Sequence, residues 1–385
     1  MTIRATPTAR RIRVLQVALD LEAGGLERLV ADLIRRVDPR RFESHLLTFG
    51  PAGRHAEGLE AFATLHRAVP SSRLSMLWPR AIARQLRQIA PDVVHTHSGV
   101  WYKVSLAARL AGVPFLVHTD HGRPFPDPFT HRLVDGLASR WTDVVVAVSE
   151  ALKDQLGATV VGRPDRIRVI PNGIDTEALR PGAVSGRLRE ELGLDPEQPI
   201  IGSIGRFDPV KGYGTMLEAY STLVESWGPG PVPALVLAGE GPEMARLVEQ
   251  AATLGPRAAA HFLGWRTDLP NLLASFTVFT LASLSEGTSL SLLEAMSCGC
   301  CPVVTDVGGN GAVLGPELAH RLVRPSDAQA LAEAWADALR DPIRRTADAA
   351  AGRRRVEARF SLHTMINAYE ALYREGVDRS PQPGS

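Results

Sequence analysis

The stretch IRVLQVALDLEAGGLERLVADLIRRV, residues 12–37, decides the fold class. Its first eight residues form an apolar, β-branched run of strand length. After a turn holding Gly24 and Gly25, apolar Leu26, Leu29, Val30, Leu33, Ile34 and Val37 recur at helical spacing. A strand leading directly into an amphipathic helix opens a βαβ unit, the building block of a parallel sheet. SHLLTF (44–49), DVVHTH (92–97), PFLVHTD (114–120) and DVVVAVS (143–149) read as further strands of the same unit. Around PNGIDTEALRPG (171–182) the chain turns to Pro, Gly and polar residues, the composition of a linker.

The pattern then restarts. PIIGSIGR (199–206), ALVLAGE (234–240), AHFLGW (260–265), FTVFTLA (276–282), CPVVTD (301–306) and HRLVRP (320–325) read as strands. GTMLEAYSTLV (214–224) and a segment from about Ser289 to Gly299 read as helices between them. DAQALAEAWADALRD (327–341) and a single long segment, 354–376, read as the closing helices. The expectation is an α/β protein of two doubly wound sheets in tandem, facing a cleft at their strand carboxyl ends, where open sheets bind ligands.

The totals agree with two globular domains: 385 residues, 45% hydrophobic and 22% charged, with a net charge of +1. That balance excludes a nucleic-acid binder working by bulk charge. Residues 1–90 nonetheless hold 15 arginines and no lysine against 8 acidic residues, enough to meet an anionic surface or a pyrophosphate carrier. Cys298, Cys300 and Cys301 lie too close together for a disulfide framework and read as small fillers. VLQVAL is too short for a signal-peptide core, and no apolar run reaches the roughly 18 residues of a membrane span. The expected location is cytoplasmic, at the inner face of the membrane where it docks peripherally.

The chemistry should sit on loops that follow strands. Gly24 and Gly25 let a phosphate or substrate approach a helix N-terminus, although the G-x-G-x-x-G dinucleotide fingerprint is absent. His95, His97, His118 and His121 come to one sheet edge with Asp120 nearby. A metal site is the less favoured reading, because strand alternation sends His95 and His97 to one face and need not align them with His118. His121, past its strand, is read as donating a hydrogen bond to substrate, and His118 as structural. Arg206 and Lys211 flank the turn in GSIGRFDPVKGY (202–213). Lys211 is one of only three lysines among forty arginines, which suggests a compact ammonium suited to phosphate.

In SEGTSLSLLEAMSCGC (285–300) a loop carboxylate, Glu286, precedes a helix that carries Glu294. The helix N-terminus offers an anion site; Glu286 reaches past it to sugar hydroxyls, and Glu294 to a ribose diol. This is not a glycosidase carboxylate pair, since one member serves the nucleotide.

Taken in order, GGLE, HTDHG, PNGID, GRFDPVKG, LAGEGPE, FLGW and EGTSLSLLE resemble the retaining GT-B glycosyltransferases that carry an E-x7-E element, the bacterial group-1 type, over nearly the whole chain. DHGRPF is similar to the exopolysaccharide-associated subgroup. The resemblance implies an N-terminal acceptor-side Rossmann-like domain at 11–180 and a nucleotide-sugar domain at 181–360. It implies a helix at 361–375 crossing back to the first domain; 376–385 should be disordered. Arg206 and Lys211 would neutralise the diphosphate, Glu286 bind the donor sugar and Glu294 the ribose. The backbone of Thr288, Ser289 and Leu290 would hold phosphate and sugar, Gly264 and Trp265 lie near the base, His121 bind the sugar, and Gly25 approach phosphate or acceptor.

Front-face transfer with retention is implied, without resident metal or cofactor, since no D-x-D occurs and fixed cations take that role. The substrate is a nucleoside-diphosphate hexose, UDP by default, and the acceptor a glycan or lipid-linked hydroxyl. Two departures stand out. VGGNGAVL (307–314) lacks the glutamate usual four residues after paired glycine, and Thr288 and Ser289 follow E-G where an apolar residue is usual. The rival readings are a sugar-nucleotide 2-epimerase on the same fold, whose acid/base carboxylates are not evident, and a non-catalytic nucleotide-sugar-binding protein. A nicotinamide dehydrogenase lacks its glycine fingerprint.

Overall fold

The computed structural model describes residues 10–22, 24–69, 78–123, 127–182 and 186–379. The chain divides into two compact units. Unit 1 comprises residues 1–121, 126–171 and 365–385; unit 2 comprises residues 122–125 and 172–364.

Unit 1 is built on a seven-stranded sheet: β1 (Ile12–Ala18), β2 (Phe42–Thr48), β3 (Ala63–Arg67), β4 (Val93–His97), β5 (Phe115–Asp120), β6 (Val144–Ala147) and β7 (Ile167–Val169). The order is β3-β2-β1-β4-β5-β6-β7 and every pairing is parallel. β4 and β5 are buried along their whole length, the mark of strands covered on both faces. β3 and β7 were not foreseen from sequence. They are the two edges of the sheet, with short, partly exposed or polar-interrupted sequences that carry no clear apolar period.

Unit 2 has six parallel strands: β8 (Ile200–Ile204), β9 (Ala234–Ala238), β10 (Ala260–Phe262), β11 (Val278–Leu281), β12 (Cys301–Thr305) and β13 (Leu322–Val323), in the order β10-β9-β8-β11-β12-β13. Both units reverse strand order once, at β1/β4 and at β8/β11. Such reversals open a crevice at the strand carboxyl ends. The expected strand 320–325 is only two residues long, because Pro316–Arg321 winds into a 3₁₀-helix first. There Arg321, 1% exposed, bridges Asp348 and Asp337 at 2.7 Å each.

The single helix expected over 354–376 is two helices, Pro342–Arg359 and Leu362–Arg379. The break has a cause distant in sequence. Ile174 N–H donates to Phe360 O, Leu362 N–H donates to Ile174 O, and Ser361 Oγ accepts from Thr364 N–H. These bonds satisfy backbone groups that a continuous helix would have paired internally. Residues from Met365 onward group with unit 1, and the helix persists to Arg379, so 376–379 are ordered rather than part of a disordered tail. Within unit 1, Arg168 pairs with Glu375 at 2.5 and 2.7 Å, and Glu370 accepts from Asp38 N–H at 2.8 Å. The remainder of the expected tail, 380–385, lies outside the described residues.

Candidate active site

In unit 2 the loop between β11 and helix Leu290–Ser297 collects the residues singled out above. Its position follows from topology: β8 and β11 are the strands where order reverses, and their following loops meet. Lys211 ends a single turn, Pro209–Lys211, after β8. Its Nζ lies 2.8 and 2.9 Å from the two carboxylate oxygens of Glu286. Ser283 Oγ donates to the same carboxylate at 2.6 Å. The Glu286 side chain is only 7% exposed and that of Lys211 27%, so water screens the pair weakly. Sequence alone treats these residues separately, one for phosphate and one for sugar. The structure joins them in one ion pair.

The loop is fixed from several sides. Leu284 N–H donates to Val210 O at 2.7 Å, Thr305 Oγ1 to Ser283 O at 2.7 Å, and buried Asn172 Nδ2 to Thr288 O at 2.9 Å. Gly308 has φ 53°, and a Cβ there would lie 1.7 Å from Glu286 O. Gly212 plays the same part on the other side, with φ 65° and a Cβ position 2.1 Å from Ala282 O. Ser283, Asn172 and Gly308 were missed as contributors. Asn172 and Gly308 lie in PNGID and VGGNG, where their residue types were legible but not their partners.

Thr288 and Ser289 are buried, and Ser289 precedes the helix in extended conformation without capping it by its side chain. Its hydroxyl instead lies 3.3 Å from that of Ser291. The first N–H groups of the helix, at Leu290 and the residues after it, therefore keep their capacity for an anion. Glu294 is 4% exposed, one turn into the same helix. Arg206 stands apart from this cluster, with a 71% exposed side chain paired to Asp208 at 3.2 Å. Gly264 takes φ 65° in the turn after β10, where its carbonyl accepts from Gly239 N–H at 2.8 Å. Trp265 beside it is 45% exposed.

In unit 1, Gly25 is exposed and opens helix Gly25–Arg36. His118 stacks on Trp101, with ring centroids 3.9 Å apart and planes 6° off parallel, and its Nδ1 lies 2.9 Å from Thr96 Oγ1. His121 Nε2 is 3.1 Å from His97 Nδ1. Burial pushes His121 down to about 4 and His95 to about 3, so both imidazoles are neutral at neutral pH. Among the described residues no cluster of three or more His, Cys, Asp or Glu side chains is arranged to hold a metal ion. The three cysteines are buried and unpaired, and burial raises their thiols, Cys298 and Cys301 to about 11.

Two parallel α/β units of this strand order are the GT-B fold of glycosyltransferases. The chain belongs to the group 1 glycosyltransferases: residues 184–355 match the family Glycosyl transferases group 1 and residues 23–178 match Glycosyltransferase Family 4. It is 32% identical to the UDP-Gal:alpha-D-GlcNAc-diphosphoundecaprenol alpha-1,3-galactosyltransferase of Escherichia coli over 64% of this chain and 66% of that protein. It is 30% identical to the alpha-maltose-1-phosphate synthase of Mycolicibacterium smegmatis over 74% of this chain and 79% of that one. The crystal structure of Anabaena Alr3699/HepE in complex with UDP and glucose superposes with a TM-score of 0.83, at 23% identity over 95% of this chain and all of that one.

Proposed function

We propose that this glycosyltransferase moves a hexose from a UDP-sugar, with retention, to a hydroxyl of a glycan or lipid-linked acceptor in cell-envelope assembly. The Lys211–Glu286 pair at the mouth of helix Leu290–Ser297 carries the reading. A diphosphate on the helix N-terminus draws on the helix dipole and on the Lys211 ammonium, and the charge that develops on the leaving group is stabilised there. Glu286, held by Ser283, accepts hydrogen bonds from sugar hydroxyls, and buried Glu294 accepts from the ribose. Thr288, Ser289 and Leu290 supply backbone donors, Gly264 and Trp265 border the base, and Arg206 swings from Asp208 to the phosphates. Protein cations of this kind take the place of a resident metal. The leaving phosphate oxygen takes the acceptor hydroxyl's proton, so no enzymatic base is invoked. The UDP-sugar and diphospholipid in the name of the Escherichia coli relative support the same substrate classes here.

Calorimetric titration with UDP, GDP and ADP, with and without EDTA, tests the donor class. UDP binding that survives EDTA and is lost in Glu294→Ala and Lys211→Ala is the expected result. NMR of the product's anomeric proton, read against the donor, tests retention. Binding of none of the three nucleotides overturns the reading.

We further propose that the protein meets a lipid-linked acceptor at an anionic bilayer surface. No described helix is long and apolar enough to cross a membrane, so contact would be peripheral. Helix Phe129–Trp141 in unit 1 is amphipathic the wrong way round. Its inward residues Ala138 and Ser139 are small, whereas Phe129 and Leu133 are 69% and 57% exposed, with Leu137 and Val134 beside them. A hollow of about 340 Å³ is lined by Phe129, Arg132, Leu133, Leu137 and Arg140 of this helix together with Thr159 and Val160. An apolar stripe flanked by guanidinium groups suits the headgroup–acyl boundary of anionic lipid.

A further inference from the structure

The peptide group joining Thr288 to Ser289 is gripped on one side. Asn172 Nδ2 donates to Thr288 O at 2.9 Å, and Asn172, Thr288 and Ser289 are 5%, 6% and 5% exposed. A carbonyl only accepts, so the amide nitrogen of Asn172, not its oxygen, must face it. The peptide is planar and trans, so its N–H points away from its C=O. Holding Thr288 O toward Asn172 therefore turns the Ser289 N–H to the opposite side. Among the described residues that N–H donates to no partner.

Asn172 is a fixed point because the segment that carries it is held along its length. Ile174 N–H donates to Phe360 O at 3.0 Å, and Ile174 O accepts from Leu362 N–H at 2.7 Å. Asp175 Oδ1 accepts from the Glu177 and Ala178 N–H groups at 3.1 and 3.0 Å. Leu179 O accepts from Ser297 Oγ and, at 3.0 Å, from Arg353 Nη1. Arg353 Nη1 also donates to the carbonyl of Ser297, the last residue of helix Leu290–Ser297. Segment 172–179 thus touches both ends of that helix: Asn172 grips the peptide that enters it, and Leu179 the residue that closes it. All of these residues belong to unit 2.

We propose that Asn172 is a positioning residue of the donor site, which holds the Thr288–Ser289 peptide so that the Ser289 N–H meets the diphosphate of a nucleotide donor. This rests on the reading of the helix mouth as the diphosphate site. Without the Asn172 bond the peptide plane is free to rotate. A flipped plane would turn a carbonyl oxygen, instead of a donor, toward the anion. The effect is confined to the anionic part of the ligand; uridine, which has no phosphate, does not depend on it.

Thr288–Ser289 is the only Thr-Ser step in the chain. Labelling with carbonyl-carbon-13 threonine and nitrogen-15 serine therefore gives one carbonyl–amide NMR correlation, whose carbon reports the Asn172 bond and whose N–H reports the ligand. UDP should move the wild-type N–H proton downfield, and uridine should leave it in place. Asn172→Ala should shift the carbonyl and shrink the change that UDP causes at the N–H. It should weaken UDP binding in calorimetry by roughly tenfold and leave uridine binding, read by NMR titration, within about twofold of wild type. An N–H that UDP does not move, while calorimetry shows UDP bound, overturns this inference and leaves the donor class standing. So does an Asn172→Ala protein that binds UDP as the wild type does, or one that loses uridine and UDP binding equally, as a general structural role would have it. If Asn172→Ala does not fold, Asn172→Leu, which keeps the fork at Cγ without a donor, carries the same expectations. UDP that fails to bind the wild-type protein overturns the donor reading, and this inference with it.

Discussion

Lys211 and Glu286, 75 positions apart in sequence, share a two-point ion pair at 2.8 and 2.9 Å across the strands where unit 2 reverses its order. Each therefore limits the charge the other presents. An incoming diphosphate and sugar must draw the pair apart or share it, so the two side chains act as one unit rather than as two independent contacts. Lys211→Met should remove the cation and leave Glu286 facing only Ser283. Its expected effect is a fall of about 100-fold or more in turnover, in the range seen when one transition-state donor is removed. Stability should drop by about 1–2 kcal/mol, less than for a fully buried pair because Lys211 is partly exposed. The double variant Lys211→Met/Glu286→Gln should recover most of that stability and none of the activity. Additive losses in denaturant titrations of the singles and the double would show that the two residues are not coupled.

Gly308 gives a sharper test of the loop, because the obstacle there is backbone. A Cβ would sit 1.7 Å from Glu286 O at φ 53°, so Gly308→Ala must move Glu286. The comparison is Gly58→Ala, at φ 73° with nothing within 4 Å of the added carbon. Gly58→Ala should cost about 1–2 kcal/mol, the conformational term alone. Gly308→Ala should cost more than this and weaken UDP-sugar binding. Equal losses in the two variants, measured by urea titration, would remove Gly308 from the site's architecture.

Much of this was legible in the chain itself. Strand-length apolar runs followed by helical periods marked both units, since a strand covered on two faces needs little more than β-branched residues. Edge strands β3 and β7 escaped because half-exposed strands keep no uniform pattern. The break at Ser361 escaped because its cause, pairing with Ile174, lies 187 positions away in sequence and leaves the local helical period intact. Of the site, residue types and order were readable, but partners were not. Nothing local to Lys211 announces Glu286, and nothing in VGGNG announces the backbone it lies against.

The histidines of unit 1 make a pH prediction whose sign is opposite to that of a paired histidine. In the unfolded chain they take up protons near 6.5, whereas folded His95 does so at about 3 and His121 at about 4, because burial penalises the charged ring. Between those values the unfolded state binds more protons, so stability is fully present above 6.5 and is lost as pH falls toward 4. The slope should approach ~1.4 kcal/mol per pH unit for each buried ring. Denaturant titrations at about pH 7.5 and about pH 5 should show this loss, and His95→Gln should reduce it. A wild-type protein equally stable at both values would contradict the burial of neutral rings.

Helix Phe129–Trp141 separates two ways of reaching a membrane. The arginine excess of residues 1–90 suggests attraction by charge alone, which salt would screen within about 8 Å at physiological strength. The exposed Phe129, Leu133 and Leu137 instead point to insertion of apolar side chains, with Arg132 and Arg140 as flanking anchors. Insertion persists in salt, because it depends on removing apolar surface from water at about 25 cal/mol per Å². The 385-residue chain should co-sediment with vesicles of phosphatidylcholine and phosphatidylglycerol at low and at high salt. Leu133→Glu/Leu137→Glu should abolish binding in both, while Arg132→Gln/Arg140→Gln should weaken it at low salt by about 1 kcal/mol per arginine. Binding lost in salt by the wild type would return the interaction to the basic segment. A protein that ignores vesicles but dimerises in sedimentation velocity, and becomes monomeric in the glutamate variant, would assign this face to a second copy of the chain.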